Sequence, residues 1–403
     1  MIYQLIMMSS LRSPIAIQWF QVLGLAGVQA AISLLWVIYN LYLPQLLSQF
    51  EFPVELAAGL LLFENGVGIA IEPLMGSLSD RSRHWLGTRF PLIAVGVVLT
   101  AALSLSLPAI AFLGDPTSLL RWVLPTAIIA WALAMMVFRS PVLSLLGRYA
   151  SQSKLPQAAS LLTLMGASIG ALGAFANQFI LSLGAGVAFL VGSIVLLLAA
   201  TVLRFVNAQA QPIADVNTAA TSLSVKNLGL IFSTGTAIAL GITLLRSLFK
   251  SANPLPTAPT MLIVFTITHL ITVIPLGIVA SKFGNQRSML TAIGAIAVSL
   301  GLLSITYAYP FSVVLVIILG TAWSAIANGT IPYALSLVQP AKAGLGVGLF
   351  FGGGALAATC FGIVVRQIGT IPPTASALGS AIAFLIAGCC IAIHPTKLVR
   401  SHG

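Results

Sequence analysis

Residues 59–89 read GLLLFENGVGIAIEPLMGSLSDRSRHWLGTR and hold three of the seven acidic residues of the chain. Glu64 and Glu72 lie inside an apolar run, and Asp80 opens the basic segment that follows. An ionised carboxylate is costly to place in hydrocarbon, so such acids usually face a bundle interior or a wet cavity on an ion or substrate path. The stretch therefore predicts a membrane-spanning helix with a functional polar face, followed by a short basic loop that ends at Arg89.

Composition extends this interpretation to the whole chain. Of 403 residues, 59% are hydrophobic and 6% charged, and the mean hydropathy is +1.07. Soluble domains carry about a quarter charged residues, so an ordinary globular protein is excluded. The formal charge of +11 comes from basic residues scattered singly or in small groups between apolar runs, as in the loops of membrane proteins. We therefore expect a lipid bilayer, and no nucleic acid, as the partner of this surface.

Twelve apolar runs are long enough to cross a membrane, since a helical span needs about 20 residues. The polar segment 207–226 separates six runs from six, which predicts an N-terminal bundle at 1–206, a cytoplasmic linker at 207–226 and a C-terminal bundle at 227–403. The predicted fold class is an all-α membrane protein with twelve transmembrane helices in two six-helix bundles. The predicted spans are 16–43, 54–79, 90–113, 119–147, 157–183, 185–205, 227–249, 258–283, 287–308, 310–338, 343–368 and 373–394.

The basic residues predict the orientation, because cytoplasmic loops of membrane proteins carry an excess of Lys and Arg. With the N-terminus inside, only Arg121, Arg246, Lys250 and Arg366 fall in outer segments. This bias predicts a multi-pass protein with both termini in the cytoplasm. Thirteen basic residues fall inside, namely Arg12, Arg81, Arg83, Arg89, Arg148, Lys154, Arg204, Lys226, Lys282, Arg287, Lys342, Lys397 and Arg400.

The two halves repeat one loop pattern at equivalent places, as expected where two bundles rock about a central site. In the first copy, Asp80 is the residue that the charge bias does not explain. We expect it to pair with basic residues or with a helix N-terminus and to hold an inner gate closed. The alternative is a loop that only satisfies the charge bias. The predicted gating loops comprise Gly76, Asp80, Arg81, Gly87 and Arg89 between spans two and three, and Gly277, Lys282, Gly284 and Arg287 between spans eight and nine.

The pattern Gly76-x-x-x-Asp80-Arg81, followed by a Gly and basic residues, resembles the loop signature of the major facilitator superfamily. The longer stretch 72–91 resembles the glycoside–pentoside–hexuronide cation symporters and the related sucrose transporters. Segments 138–146 and 328–351 extend the likeness over most of the chain. The resemblance implies the major facilitator fold and transport of a sugar or glycoside in the bacterial inner membrane. H⁺ or Na⁺ would be the coupling ion, no other cofactor is expected, and the expected state is a monomer.

The chain departs from that group at several positions. The acid usual at the end of the fourth helix is replaced by Gly147-Arg148, and a basic residue of the first loop is Thr88. In the second loop the expected Asp is Ser281, and no acid follows Asp215 anywhere. All coupling acids would therefore lie in the N-terminal half.

Glu72 is the first candidate for the coupling residue, because the resembling symporters use an acid before this Pro to bind the coupling cation. Glu64 precedes it by about 12 Å along the helix and about 80° around it, so both could line one cavity without sharing one ion. Arg139 has a matching depth in span four, and a Glu72–Arg139 pair would neutralise both charges. The alternatives are a permanent structural ion pair and an arginine that snorkels to the headgroups.

Further candidates come from spans one, eight and ten. Trp36, Tyr39 and Asn40 could present aromatic faces and an amide to a sugar ring, although ordinary helix packing explains the aromatics nearly as well. His269 could relay protons, or it could be a neutral, hydrogen-bonded histidine of the bundle. Asn328 is expected to line the substrate site. The expected partner is a small-molecule solute such as a sugar.

Two other functions stay open at this point. A strongly apolar lining would also suit an exporter of a lipophilic solute, and some proteins of the superfamily serve as membrane assembly factors. The acids Glu64 and Glu72 favour transport, because a scaffold has little reason to keep them in a membrane. No phosphate loop, His-Glu-x-x-His motif or serine nucleophile elbow occurs, so the sequence predicts neither an enzyme nor a metal site.

Overall fold

The computed structural model describes residues 16–113, 119–211, 224–250, 258–305 and 309–393. Within these ranges twelve helices are long and apolar enough to cross a membrane, which confirms the predicted number of spans. An apolar chain in lipid folds this way because a helix pairs its backbone polar groups internally. The long helices are α1 (Trp19–Ser48), α2 (Val54–Leu86), α3 (Phe90–Leu113), α4 (Val123–Leu143), α5 (Leu155–Phe175), α6 (Ala185–Ala208), α7 (Val225–Lys250), α8 (Ala258–Phe283), α9 (Asn285–Ile305), α10 (Tyr309–Ser336), α11 (Ala343–Ile368) and α12 (Pro373–Ala392).

Each set of six helices packs around a core of its own. Trp131, Phe138 and Phe189 are fully buried in the first core, and Ile296 and Phe384 are fully buried in the second. The halves thus form two six-helix bundles, as the predicted fold class requires. The domain limits 1–206, 207–226 and 227–403 stay predictions, because residues 212–223 of the linker lie outside the described ranges.

The outer helices α3, α6, α9 and α12 carry apolar side chains on their outside. Val98, Leu198, Val298 and Ile382 are among the exposed residues of these four helices. In water a patch of this kind would be a liability, whereas in a bilayer it contacts acyl chains. The chain is therefore a multi-pass membrane protein. The termini lie outside the described residues, so their cytoplasmic location stays a prediction.

The two bundles meet where α2 packs along α11 and α5 packs along α8. A Cβ on Gly76 of α2 would overlap the carbonyl of Gly344 of α11, and a Cβ on Gly277 of α8 would lie 2.6 Å from the Cβ of Ser160 of α5. Small residues allow such close approach of membrane helices. Both contacts lie near the end of the bundle that carries Asp80 and the basic residues around it, which we call the basic end. The halves are closed against each other there.

The first predicted gating loop is mostly helix, which corrects the end of span two from residue 79 to Leu86. Residues 79–86 contain no Gly or Pro, so nothing interrupts the helix before Gly87, whose φ of 71° lies in the left-handed region that Gly favours. Gly76, Asp80 and Arg81 are therefore helical residues. In the second copy, Gly277 and Lys282 lie in α8, Gly284 has a φ of 96°, and Arg287 lies in α9.

Candidate solute-binding and coupling site

A buried ion pair joins α2 to α4 in the middle of the first bundle. Arg139 Nη2 lies 2.5 Å from Glu72 Oε1, and the Ser140 hydroxyl donates a hydrogen bond to Glu72 Oε2. The Glu72 side chain is 1% exposed, whereas that of Arg139 is 24% exposed. The guanidinium also lies 4.3 Å from the ring centroid of Phe351, a cation–π contact with α11 of the other half. Structure and sequence thus agree that these two charges meet.

The pair lies on the wall of a cavity of about 250 Å³ between the two bundles. Trp36 Nε1 and Arg139 Nε are buried and have no hydrogen-bond partner among the described residues. An unpaired buried donor costs about 1–3 kcal/mol, so both donors favour a ligand or water with an acceptor atom in this place. The lining consists of Trp36, Asn65, Gly68, Glu72, Met136, Arg139, Phe351, Gly354 and Ala355.

Glu64 belongs to a different environment from Glu72. Its side chain is buried and accepts a 2.5 Å hydrogen bond from the Tyr39 hydroxyl. It is absent from the lining of the cavity around Glu72, so the expectation that both acids line one cavity is wrong for this cavity. The reason is the rotation of about 80° between the two positions on one helix, which points them to different neighbours.

The aromatic residues of α1 divide into one that reaches the cavity and one that does not. Trp36 is half-buried in the lining, and Asn40 is exposed beside it and donates to the Trp36 carbonyl. Tyr39 is 1% exposed because its ring stacks on Trp131, with centroids 4.4 Å apart. The expectation that Tyr39 presents a face to a sugar is therefore wrong. Packing against Trp131 within the bundle covers that face of the ring. The indole N–H of Trp131 in turn donates a hydrogen bond to the Ser104 hydroxyl.

His269 and Asn328 join α8 to α10. His269 Nδ1 lies 2.8 Å from the Ser324 hydroxyl, and Asn328 donates a 2.6 Å hydrogen bond to the Val273 carbonyl. Asn328 is completely buried, which contradicts the expectation that it lines the substrate site. The role of the Asn328 amide in this structure is to satisfy the Val273 carbonyl where α10 packs on α8. His269 matches the alternative of a hydrogen-bonded bundle histidine.

At the basic end, Asp80 of the N-terminal half binds the start of α11 in the C-terminal half. Its carboxylate accepts hydrogen bonds from the backbone N–H groups of Gly344 (3.0 Å) and Leu345 (2.9 Å), and from Arg89 Nη2 (2.6 Å). The first amides of a helix form a natural anion site. Burial lowers the pKa of the Arg89 guanidinium, and the Asp80 charge opposes that shift. These contacts, here called the Asp80 clamp, hold the two halves together.

Ser281 occupies the place that corresponds to Asp80 in the second copy of the pattern. Its hydroxyl accepts a 3.1 Å hydrogen bond from the backbone N–H of Gln157, in the first turn of α5. The second copy therefore binds a helix start as the first does, but with a neutral group. Arg81, Lys282 and Arg287 are exposed at this end.

Replacing the charge of the clamp is expected to loosen the basic end. Asp80→Asn keeps one carbonyl acceptor for α11 but leaves the buried Arg89 without its counter-charge. Charged hydrogen bonds contribute about 1.5–3 kcal/mol, so we expect the open population at the basic end to rise at least about tenfold. The readout is thiol labelling of a cysteine placed at Leu345 in a cysteine-free background. Arg81→Gln is the control, and equal labelling of both variants would contradict a clamp.

Several lining residues escaped the sequence analysis. Asn65 and Gly68 precede Glu72 by seven and four residues, a helical spacing that puts all three on one face. That spacing could have predicted from the sequence that Asn65 and Gly68 lie beside Glu72. Phe351 and Gly354 had no such signal, because only the packing of α11 against the other half brings them to Glu72.

Comparisons with known proteins identify the fold. The sequence matches no protein-family model and no curated protein. Solved structures match over almost the whole chain. A bacterial homologue of the iron transporter ferroportin in an outward-facing state has a TM-score of 0.73 at 16% identity and covers 93% of this chain and 98% of its own. A variant of the E. coli fucose:proton symporter has a TM-score of 0.68 at 15% identity and covers 93% of this chain and 98% of its own. A proton:xylose symporter has a TM-score of 0.68 at 13% identity and covers 94% of this chain and 95% of its own.

These matches show the major facilitator fold and thereby confirm the predicted fold class. At identities this low they show the fold alone, and the narrower likeness to the sugar-symporter group stays a prediction. The matched proteins named here are themselves transporters. In the described ranges, no three His, Cys, Asp or Glu side chains come together in a way that could hold a metal ion.

Proposed function

We propose that this chain is a secondary active transporter that moves a small polar solute by alternating access, driven by an H⁺ or Na⁺ gradient. The observation that carries the proposal is the Glu72–Arg139 pair, which is buried in the membrane and borders the cavity between the halves. Ionisable residues in that position usually mark an ion or substrate path. Transport then proceeds as the halves rock about the cavity, with the Asp80 clamp closing the basic end.

Glu72 is the residue proposed to carry the coupling charge. A proton or a Na⁺ ion on Glu72 would neutralise the carboxylate and release the Arg139 guanidinium toward the solute. Arg139 already contacts Phe351 of α11, so a change at the pair acts directly on the contact between the halves. Binding of the cation on one half is thereby linked to the position of the other.

The cavity favours a polar solute over a lipophilic one. Its wall supplies the charged pair, the Asn65 amide, and the unpaired donors of Trp36 and Arg139, which match a molecule rich in hydroxyl groups. The indole of Trp36 offers an apolar surface beside these donors, as sugar-binding pockets require. A sugar or glycoside is therefore the proposed solute. A scaffold that only assists assembly would gain nothing from an unsatisfied polar cavity.

The test is uptake by purified protein in sealed liposomes, with labelled mono- and disaccharides under an imposed pH gradient and, separately, a sodium gradient. We expect one gradient to drive uptake and Glu72→Gln to abolish it while the protein stays folded. Glu55→Gln, an exposed acid near the start of the same helix, is the matched control and keeps wild-type uptake. Uptake that persists in Glu72→Gln would remove Glu72 from the mechanism.

A further inference from the structure

Arg246 is a charged side chain inside a spanning helix. It was counted above with the outer segments although the predicted span 227–249 contains it, and it lies within α7, which ends at Lys250. Its helix neighbours Leu245, Leu248 and Phe249 are buried. Arg246 itself is exposed. Its side chain therefore extends from a well-packed helix into open space.

The register of α7 places Arg246 on the face of the helix that adjoins α11. Ala239, seven residues earlier, lies 3.7 Å from where a Cβ on Gly354 would be, and Gly354 lines the cavity beside Glu72. Seven residues return to nearly the same face of a helix, about 20° away and about 10 Å along the axis. Arg246 thus lies on the face of α7 that adjoins the cavity-lining part of α11, about 10 Å farther from the basic end.

Within the part of the chain that the structure describes, no acidic side chain forms an ion pair with Arg246. Among the described residues, the ion pairs are Asp80–Arg89 and Glu72–Arg139, and Glu64 is bound by Tyr39. The sequence contains no Asp or Glu after Asp215, so the C-terminal half cannot supply a partner from within α7–α12. An arginine without a counter-charge inside a spanning helix favours a site where an anion binds and is released.

We propose that Arg246 binds an anionic group of the transported solute, so that the solute is a small organic anion carrying a carboxylate or a phosphate. The planar guanidinium donates two parallel hydrogen bonds to either group, which a neutral hydroxyl cannot match. This inference rests on the proposed transport function and deepens it. When Glu72 is neutralised, Arg139 becomes a second cationic contact on the opposite wall, which favours binding of the anion after the coupling cation.

The experiment compares matched pairs of neutral and anionic probes on purified full-length protein. Glucose is paired with glucuronate, and ribose with ribose 5-phosphate, which separates carboxylate from phosphate. Ligand-induced shifts in melting temperature report binding, and gradient-driven uptake in liposomes reports transport. We expect wild type to prefer one anionic probe over its neutral partner at least tenfold, Arg246→Gln to lose that preference, and Arg246→Lys to keep part of it.

Arg366→Gln is the matched control, since Arg366 is an exposed arginine near the end of α11. It is expected to keep the anion preference. Without ligand, Arg246→Gln should melt no lower than wild type, because it removes an unpaired charge rather than a contact. Glu72-dependent uptake of a neutral sugar that is unchanged by Arg246→Gln would overturn the anion inference alone. No binding or uptake of any probe by folded protein would overturn the transport proposal as well.

Discussion

Gly76→Ala is expected to force the basic end open and to abolish transport, whereas Gly66→Ala on the same helix leaves both unchanged. A Cβ at Gly76 would overlap the backbone carbonyl of Gly344, and a Cβ at Gly344 would overlap the carbonyl of Gly76. Backbone atoms cannot rotate away, so α2 and α11 must separate. At Gly66 the added Cβ would meet no atom within 4 Å beyond its chain neighbours and the adjoining backbone of its own helix.

The size of the effect follows from two opposing contributions. Gly→Ala in an open helix position gains up to about 1 kcal/mol of helix stability, whereas overpacking costs about 1–3 kcal/mol or more. The Asp80 clamp adds to the loss, because Asp80 lies one turn after Gly76 on α2 and binds the N–H groups of Gly344 and Leu345, at the place of the clash on α11. Separation at Gly76 therefore weakens the clamp too.

Distance measurements can check this outcome directly. Spin labels at the exposed positions Arg81 of α2 and Ala341, just before α11, report the separation of the halves at the basic end. We expect a longer distance in Gly76→Ala than in wild type or Gly66→Ala, together with loss of solute uptake. Wild-type distance and uptake in Gly76→Ala would show that the two helices tolerate separation and that the close contact is not required.

Sequence reasoning succeeded where depth in the membrane decides the outcome. The twelve spans follow from apolar length alone, and Glu72 and Arg139 meet because their helices run in the same direction and rise equally per residue. Sequence reasoning failed where the outcome depends on which side of a helix a residue faces. Tyr39 and Asn328 point into their bundles, yet nothing in the sequence separates these faces from lipid-facing ones, since both are apolar.

The two copies of the loop pattern, at Asp80 and at Ser281, share a contact that the sequence alone does not show. Ser281 reads as a lost acid, but its hydroxyl binds the start of α5 as Asp80 binds the start of α11. The pattern therefore encodes one contact, a polar side chain at a helix start in the other half, rather than one charge. Of these two contacts, the one at Asp80 is ionic and the one at Ser281 is neutral. We therefore expect closure of the basic end to respond to salt mainly through the Asp80 contact.

Arg139→Gln is expected to destabilise the protein far more than Glu72→Gln, although both break the same ion pair. Removing Arg139 leaves a carboxylate with 1% exposure and only the Ser140 hydroxyl as a partner. A buried charge that loses its partner costs about 3–5 kcal/mol. Removing Glu72 instead leaves an arginine that is 24% exposed and lies over the Phe351 ring, so cavity water and the ring keep it solvated.

The double variant Glu72→Gln/Arg139→Gln separates stability from function. Replacing both charges by neutral groups of similar size is often close to neutral for stability, so most of the loss of Arg139→Gln should be recovered. The apparent melting temperatures should rank Arg139→Gln lowest, with Glu72→Gln and the double variant near wild type. Gradient-driven uptake should be absent from all three. If Glu72→Gln melts as low as Arg139→Gln, the pair is a rigid strut in which both charges contribute equally, and a switch that releases Arg139 is contradicted.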